Sequence, residues 1–326
     1  MRAVYIREFG GVENLELREQ ADPPKPKGTE IIVKVRAAGL NRADIMQRLG
    51  RYPPPPGYSP NVPGLEFAGH IFEVGQNVNK FKPGERVFGI TAGEAQAEFL
   101  TSHESVLSKI PENLDFTLAA AVPEVFITAH DAIFTQCGLQ SNEWLLIHAV
   151  GSGVGLAALQ LAKAASAFVA GTSRTDDKLE RCKDFGLDLP LLVREPVFAD
   201  ELRRSVSSGA NVILDLVGGD YFPENLNSLA TQGRIILVGM TAGRKSEIDL
   251  GIALTKRAKI FGTVLRARSM EEKAAAVEAF DREVIPLLKN GKVVPNLDRV
   301  FPVEEIQDAH RYLESNQSFG KVVIEF

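Results

Sequence analysis

The stretch Trp144–Gly155, WLLIHAVGSGVG, decides the fold. An apolar run, Trp144–Ile147, ends at His148, and glycines follow at Gly151, Gly153 and Gly155. Leu156, Leu159, Gln160 and Lys163 then set a helical period. Strand, glycine turn and helix in that order form the first crossover of a dinucleotide-binding fold, where a pyrophosphate rests on backbone N–H groups at a helix N-terminus. A Cβ at the turn would block the tight bend and hold the phosphate off the backbone. A glycine triplet by itself is a weak signal; the apolar strand before it and the helical period after it carry the reading.

Outward from this unit, the pattern differs on the two sides. Before it lie short strands with Pro and Gly punctuation: Ala3–Ile6, Leu15–Arg18, Ile31–Ala37, Phe67–Val74 and Arg86–Ile90. Helical segments are expected at Phe116–Val122 and Pro123–Phe134. After it, strands at Phe168–Gly171, Leu191–Val193, Val212–Leu216, Arg234–Val238 and Phe261–Val264 alternate with helices, which implies a parallel, doubly wound sheet. A long helix Met270–Leu288, a strand Leu297–Phe301, a helix near Val303–Glu314 and a strand Lys321–Phe326 close the chain. The class is α/β. Pro53–Pro56, within RYPPPPGYSP, reads as a rigid surface loop, whose Tyr52 and Tyr58 could wall a flat apolar pocket.

With 326 residues the chain is long enough for about two domains. A net charge of -5 argues against a nucleic-acid surface, which needs clustered Lys and Arg. Two cysteines, Cys137 and Cys182, are too few for a disulfide framework and fit a reducing compartment. No apolar leader opens the chain and no stretch reaches membrane-spanning length, so a soluble, cytoplasmic protein is expected.

Several motifs occur together: NRAD at Asn41–Asp44, GLEFAGH at Gly64–His70, KPGERVFG at Lys82–Gly89, PEVFITAH at Pro123–His130 and HAVGSGVG at His148–Gly155. In this order they resemble the medium-chain dehydrogenase/reductase superfamily, and within it the zinc-free, zeta-crystallin-like quinone oxidoreductases. The resemblance runs the length of the chain. It implies a GroES-like catalytic domain at residues 1–123 and 266–326, a Rossmann domain for NADPH at 124–265, a substrate cleft between them, and a homodimer. Zinc-dependent relatives place a ligand Cys where this chain has Asn41 and a His where it has Leu65; a structural zinc would need four clustered cysteines. No metal is therefore expected. Without a Lewis acid, alcohol oxidation gives way to hydride delivery to an acceptor already electrophilic, a small-molecule quinone first. Reduction of an enone or 2-enoyl thioester is the alternative, and a non-catalytic NADPH-binding, crystallin or RNA-binding role is a third.

Asn41 opens a short helix and could simply cap it. The resemblance instead puts its amide on a substrate oxygen, with Tyr52 offering ring and hydroxyl to a quinone. Without zinc, Glu66 is equally readable as structural. The resemblance also assigns Thr128, Gly239, Met240 and Leu265 to the cofactor, beside Ser152, Gly153 and Val154 of the turn. Val150, where relatives often have Ala, crowds that turn slightly. His130, His148 and His310 read as packed or surface histidines. NAD enzymes place an acid about 20 residues past the glycines. Here the second strand leads into Thr172, Ser173, Arg174 and Thr175, with Lys178 one turn on, a setting for a 2′-phosphate. Asp176 and Asp177 compete as ribose ligands but fit the first turn of a helix. Arg194 stands near the place where relatives often carry a phosphate-binding Tyr.

Overall fold

The computed structural model describes all 326 residues. The chain divides into two compact units, Met1–Ile127 with Leu265–Phe326, and Thr128–Val264.

The first unit is built on a mainly antiparallel sheet in the order Leu297–Pro302, Lys321–Glu325, Glu30–Leu40, Glu66–Val74, Arg86–Ile90 and Leu107–Lys109. The 11-residue strand Glu30–Leu40 organises it. One end pairs with Lys321–Glu325 and the other with Phe99–His103, while Glu66–Val74 runs along its other edge. The strands Phe99–His103 and Leu107–Lys109 go beyond the sequence expectations. Ile31, Val33 and Val35 are buried with Val4, Phe67, Val87 and Ile324 in one core, and Ile32, Ala37, Ala38 and Leu40 are buried as well, so much of this strand is covered on both faces.

The second unit is a six-stranded parallel sheet in the order Leu189–Leu192, Phe168–Ser173, Trp144–Ile147, Ala210–Asp215, Leu229–Leu237 and Lys259–Gly262. The order reverses direction at Trp144–Ile147, the switch point at which such sheets bind nucleotides. Pro190 is tolerated within Leu189–Leu192 because that strand is an edge.

Two helices end earlier than their periodicity suggests. The helix expected over Met270–Leu288 stops at Glu283 and restarts at Ile285, since Pro286 has no N–H for the helix ladder and its ring crowds the preceding turn. The segment expected to be helical to Phe134 is α-helical over Pro123–His130 and widens to a π-helix over Asp131–Gln136. No helix is long and apolar enough to cross a membrane.

Candidate active site and nucleotide site

In the second unit, the glycine turn leads into the helix Gly153–Ala164. Ser152 is its N-cap, and its hydroxyl accepts a hydrogen bond from Gly155 N–H at 3.1 Å. Gly155 is needed for closure of the turn: a Cβ there would lie 2.6 Å from the carbonyl oxygens of both Ala149 and Val150. Ala149 takes φ +50°, a conformation costly for a residue with a Cβ, which shows how sharply the chain bends. Ser152, Gly153 and Val154 thus stand at a helix start whose N–H groups favour an anion.

The second strand continues through Ser173, so Arg174 is the first residue past its end. Thr172 is buried and its hydroxyl is held at 3.0 Å by His148 Nδ1, which removes it from the phosphate-facing set. His148 is an interior histidine, with Asn225 on its other nitrogen, and burial keeps its pKa below the ordinary value. Thr175 is the N-cap residue of the helix Asp176–Lys183, with Asp176 and Asp177 in its first turn and Lys178 following. Asp176 lies 3.8 Å from Arg194 and Asp177 3.9 Å from Arg181. Arg174 is exposed and has no carboxylate partner. Gly239 and Met240 follow the strand Leu229–Leu237, with Gly239 N–H donating to Asp215 O and Met240 53% exposed. Thr128 is half-buried in the helix Pro123–His130. Leu265 is buried at the start of the second segment of the first unit.

The first unit gathers a set of buried charges. Pairing of Leu40 with Val322 sets Lys321 beside the end of the long strand, and pairing of Ala38 with Phe67 brings Glu66 beside Gly39. Gly39 is required, because a Cβ there would collide with the Glu66 carboxylate. The Lys321 ammonium donates to Leu40 O at 2.7 Å, Asn41 Oδ1 at 2.8 Å and Glu66 Oε1 at 2.6 Å. Asn41 Nδ2 donates to Glu66 Oε1 at 2.8 Å, and Glu124 N–H donates to Glu66 Oε2 at 2.9 Å. Asn41 stands at the N-cap of the helix Arg42–Arg48, yet its amide is committed to this cluster. Asp44 accepts from the backbone N–H groups of Asn41 and Gly64 and is fully buried, with its pKa pushed up to about 6 by burial.

Tyr52 joins the cluster through Arg266. The Arg266 guanidinium donates to Ala92 O at 2.7 Å, to Tyr52 O at 3.0 Å and to the side chain of Gln47, and lies 5.0 Å from the centre of the Tyr52 ring. Burial raises the pKa of the Tyr52 hydroxyl, and the Arg266 charge opposes that rise. Burial, reinforced by the Glu66 charge, lifts Glu124 to about 8.

The residues that sequence reasoning left out are Arg266, Lys321 and Glu124. Arg266 had served only as the start of a returning segment, and Lys321 only as the start of a last strand. Glu124 stood inside the quoted motif PEVFITAH, but a Glu in a helix N-terminal turn looks like an ordinary dipole partner.

Residues 27–116 match the alcohol dehydrogenase GroES-like domain family and residues 153–282 the zinc-binding dehydrogenase family. A quinone oxidoreductase of Lama guanicoe is 33% identical, covering 99% of this chain and 97% of its own. Among solved structures, the Escherichia coli quinone oxidoreductase complexed with NADPH superposes with a TM-score of 0.90 at 27% identity, over all of both chains. JamJ enoyl reductase in its apo form gives 0.88 at 27% identity, over 99% of this chain and 98% of that one.

Proposed function

The chain belongs to the zeta-crystallin-like quinone oxidoreductases of the medium-chain dehydrogenase/reductase superfamily and is an NAD(P)H-dependent oxidoreductase; from that premise we propose that it reduces quinones with NADPH and without zinc. The bound nicotinamide nucleotide supplies the hydride. The turn at Ser152–Gly155 takes the pyrophosphate, which NADH and NADPH share, so the choice between them falls to residues past the second strand. Arg174 carries that reading: it is exposed and unpaired there, while both nearby aspartates face arginines. A doubly charged 2′-phosphate suits its planar fork, with Thr175 and Lys178 adjoining.

On the acceptor side, Tyr52 offers a ring face, and Arg266 fixes its backbone. Asn41 has its carbonyl and one N–H committed, so its role is to orient Glu66 and Lys321 together, with limited capacity left for a substrate oxygen. These residues do not fit zinc. An ammonium already lies 2.6 Å from the Glu66 carboxylate, Asn41 beside it offers only an amide, and Asp44 is taken up by backbone N–H groups. Similarity to JamJ enoyl reductase favours a second reading, reduction of a 2-enoyl thioester.

One assay set tests these together. After exhaustive dialysis against a chelator, the protein should oxidise NADPH in the presence of a quinone, faster than with an enone or enoyl-CoA, and should bind NADPH more tightly than NADH. Loss of one charge-assisted hydrogen bond costs about 1.5–3 kcal/mol, so Arg174→Ala should weaken NADPH binding roughly ten- to a hundredfold and leave NADH nearly unchanged. Tyr52→Ala should lower quinone turnover with NADPH affinity retained. Tighter NADH binding by the wild type overturns the cofactor assignment, and enoyl-CoA as the better acceptor overturns the quinone. Zinc-dependent turnover overturns the metal-free reading.

We also propose a homodimer through the second unit. The edge strand Lys259–Gly262 has one side unpaired, with Ile260 44% exposed, and Leu250, Leu254 and Val264 are exposed near it in sequence. Open apolar edges of this kind invite the same edge of another copy. Sedimentation should give twice the 35.5 kDa chain mass, and Leu254→Glu with Ile260→Lys should give the single chain. A wild-type monomer at micromolar concentration would exclude the arrangement.

A further inference from the structure

Within the first unit lies a cavity of about 190 Å³, lined by Tyr58, Ile90, Ser102, Met270 and Lys273 among others. That is several times the ~30 Å³ share of a water molecule in the liquid. Lys273 is only 7% exposed, and its ammonium donates to no protein acceptor. Ser102 is 8% exposed, and its hydroxyl also lacks a partner. A buried hydroxyl normally finds a partner, and beside the orphaned Ser102 Oγ an ammonium that donates to no protein group lines the same cavity, so the pair points to an occupant. Of the other polar groups there, Thr91 Oγ1 donates to Gly93 O, His103 is bonded through both nitrogens to Thr29 and Ser105, and Glu30 accepts from Lys27 N–H. Tyr58, Ile90 and Met270 supply ring and apolar surface.

The cavity adjoins the Tyr52 cluster. Ala92 lines it and is the residue whose carbonyl takes the Arg266 Nε–H. Lys273 is near enough to Glu124 and Arg266 to feel both charges, and burial holds its pKa below the usual lysine value. An incoming anion would restore the solvation that the ammonium has lost.

We propose that this cavity receives the acid group of the acceptor, a carboxylate or sulfonate oxygen meeting the Lys273 ammonium and the Ser102 hydroxyl, so that acid-bearing acceptors are favoured over neutral ones. The acceptor part of this inference rests on the quinone reading above; the anion site itself does not.

The test pairs 1,4-naphthoquinone-2-sulfonate with neutral 1,4-naphthoquinone on the full-length protein. Calorimetric titration and NADPH-linked turnover are measured for wild type, Lys273→Met, Lys273→Arg and Ser102→Ala, with circular dichroism to confirm folding. Wild type should prefer the sulfonate at least tenfold in both Kd and kcat/KM. Lys273→Met should erase that ratio, Lys273→Arg should keep most of it, and Ser102→Ala should fall between. Equal affinity for both compounds in the wild type overturns the site, as does a ratio untouched by Lys273→Met. If neither compound is turned over but the sulfonate still binds in a Lys273-dependent way, the quinone reading fails and the anion site stands. If both are turned over with no charge preference, the reverse holds.

Discussion

Lys321→Met is expected to destabilise the first unit by about 3–5 kcal/mol, the usual cost of stranding one half of a buried ion pair. Lys321 is 4% exposed and Glu66 is 0% exposed, so solvent cannot replace the missing ammonium. The lost side chain also leaves Leu40 O and Asn41 Oδ1 without their donor. For units of this size each kcal/mol shifts Tm by about 2–4 °C, so a fall of roughly 10 °C is expected at neutral pH. Adding Glu66→Gln removes the stranded charge and should recover part of the loss, because the single amide oxygen can still accept from one of the two N–H groups, Asn41 Nδ2–H or Glu124 N–H, that Glu66 Oε1 and Oε2 now accept from. Thermal denaturation of the three variants checks this. A drop under about 3 °C in Lys321→Met would mean that the cluster does not hold Glu66 as a buried ion.

Glu124→Gln should make the protein more stable than wild type at pH 8 and no more stable at pH 5. The Glu124 carboxyl moves from 4.5 to about 8 on folding, chiefly through burial and then through Glu66. Between those values the folded protein keeps a proton that the unfolded chain has released, so this group's contribution is full below about pH 4.5 and declines as pH rises to about 8. At 1.36 kcal/mol per unit the span is at most about 5 kcal/mol. A smaller change is expected, since Asp44, also raised, shares the cluster and titrates with the same sign up to about 6. Glutamine mimics the protonated acid at every pH. The Tm difference between variant and wild type should therefore widen steadily from pH 5 to pH 8, and a flat difference would show that Glu124 is ionised in the folded protein.

The nucleotide unit was legible because its evidence is local. Trp144–Ile147, the turn and the helix Gly153–Ala164 are consecutive, and strand–helix alternation is a repeated short-range pattern. The same holds for Arg174 and the first-turn aspartates, which depend on where one strand ends and one helix starts. Even there the sequence could not tell that Thr172 faces His148 inside the sheet, because a strand's two faces look alike until something packs on them.

The charged cluster was not legible. Lys321 reaches Asn41 across 280 residues and Glu66 across 255, and Arg266 reaches Tyr52 across 214. Nothing in the spacing of such residues signals contact; strand register does, and register is settled by which faces are buried. Sequence alone determined an α/β chain with a nucleotide-binding crossover, and it showed that Asn41 and Leu65 stand where zinc-dependent relatives have ligands. Tertiary structure alone decided that an ammonium lies against Glu66, that its surroundings raise the pKa of Glu124, and that Lys273 donates to no protein acceptor, because burial and the desolvation of charge exist only once distant segments pack together.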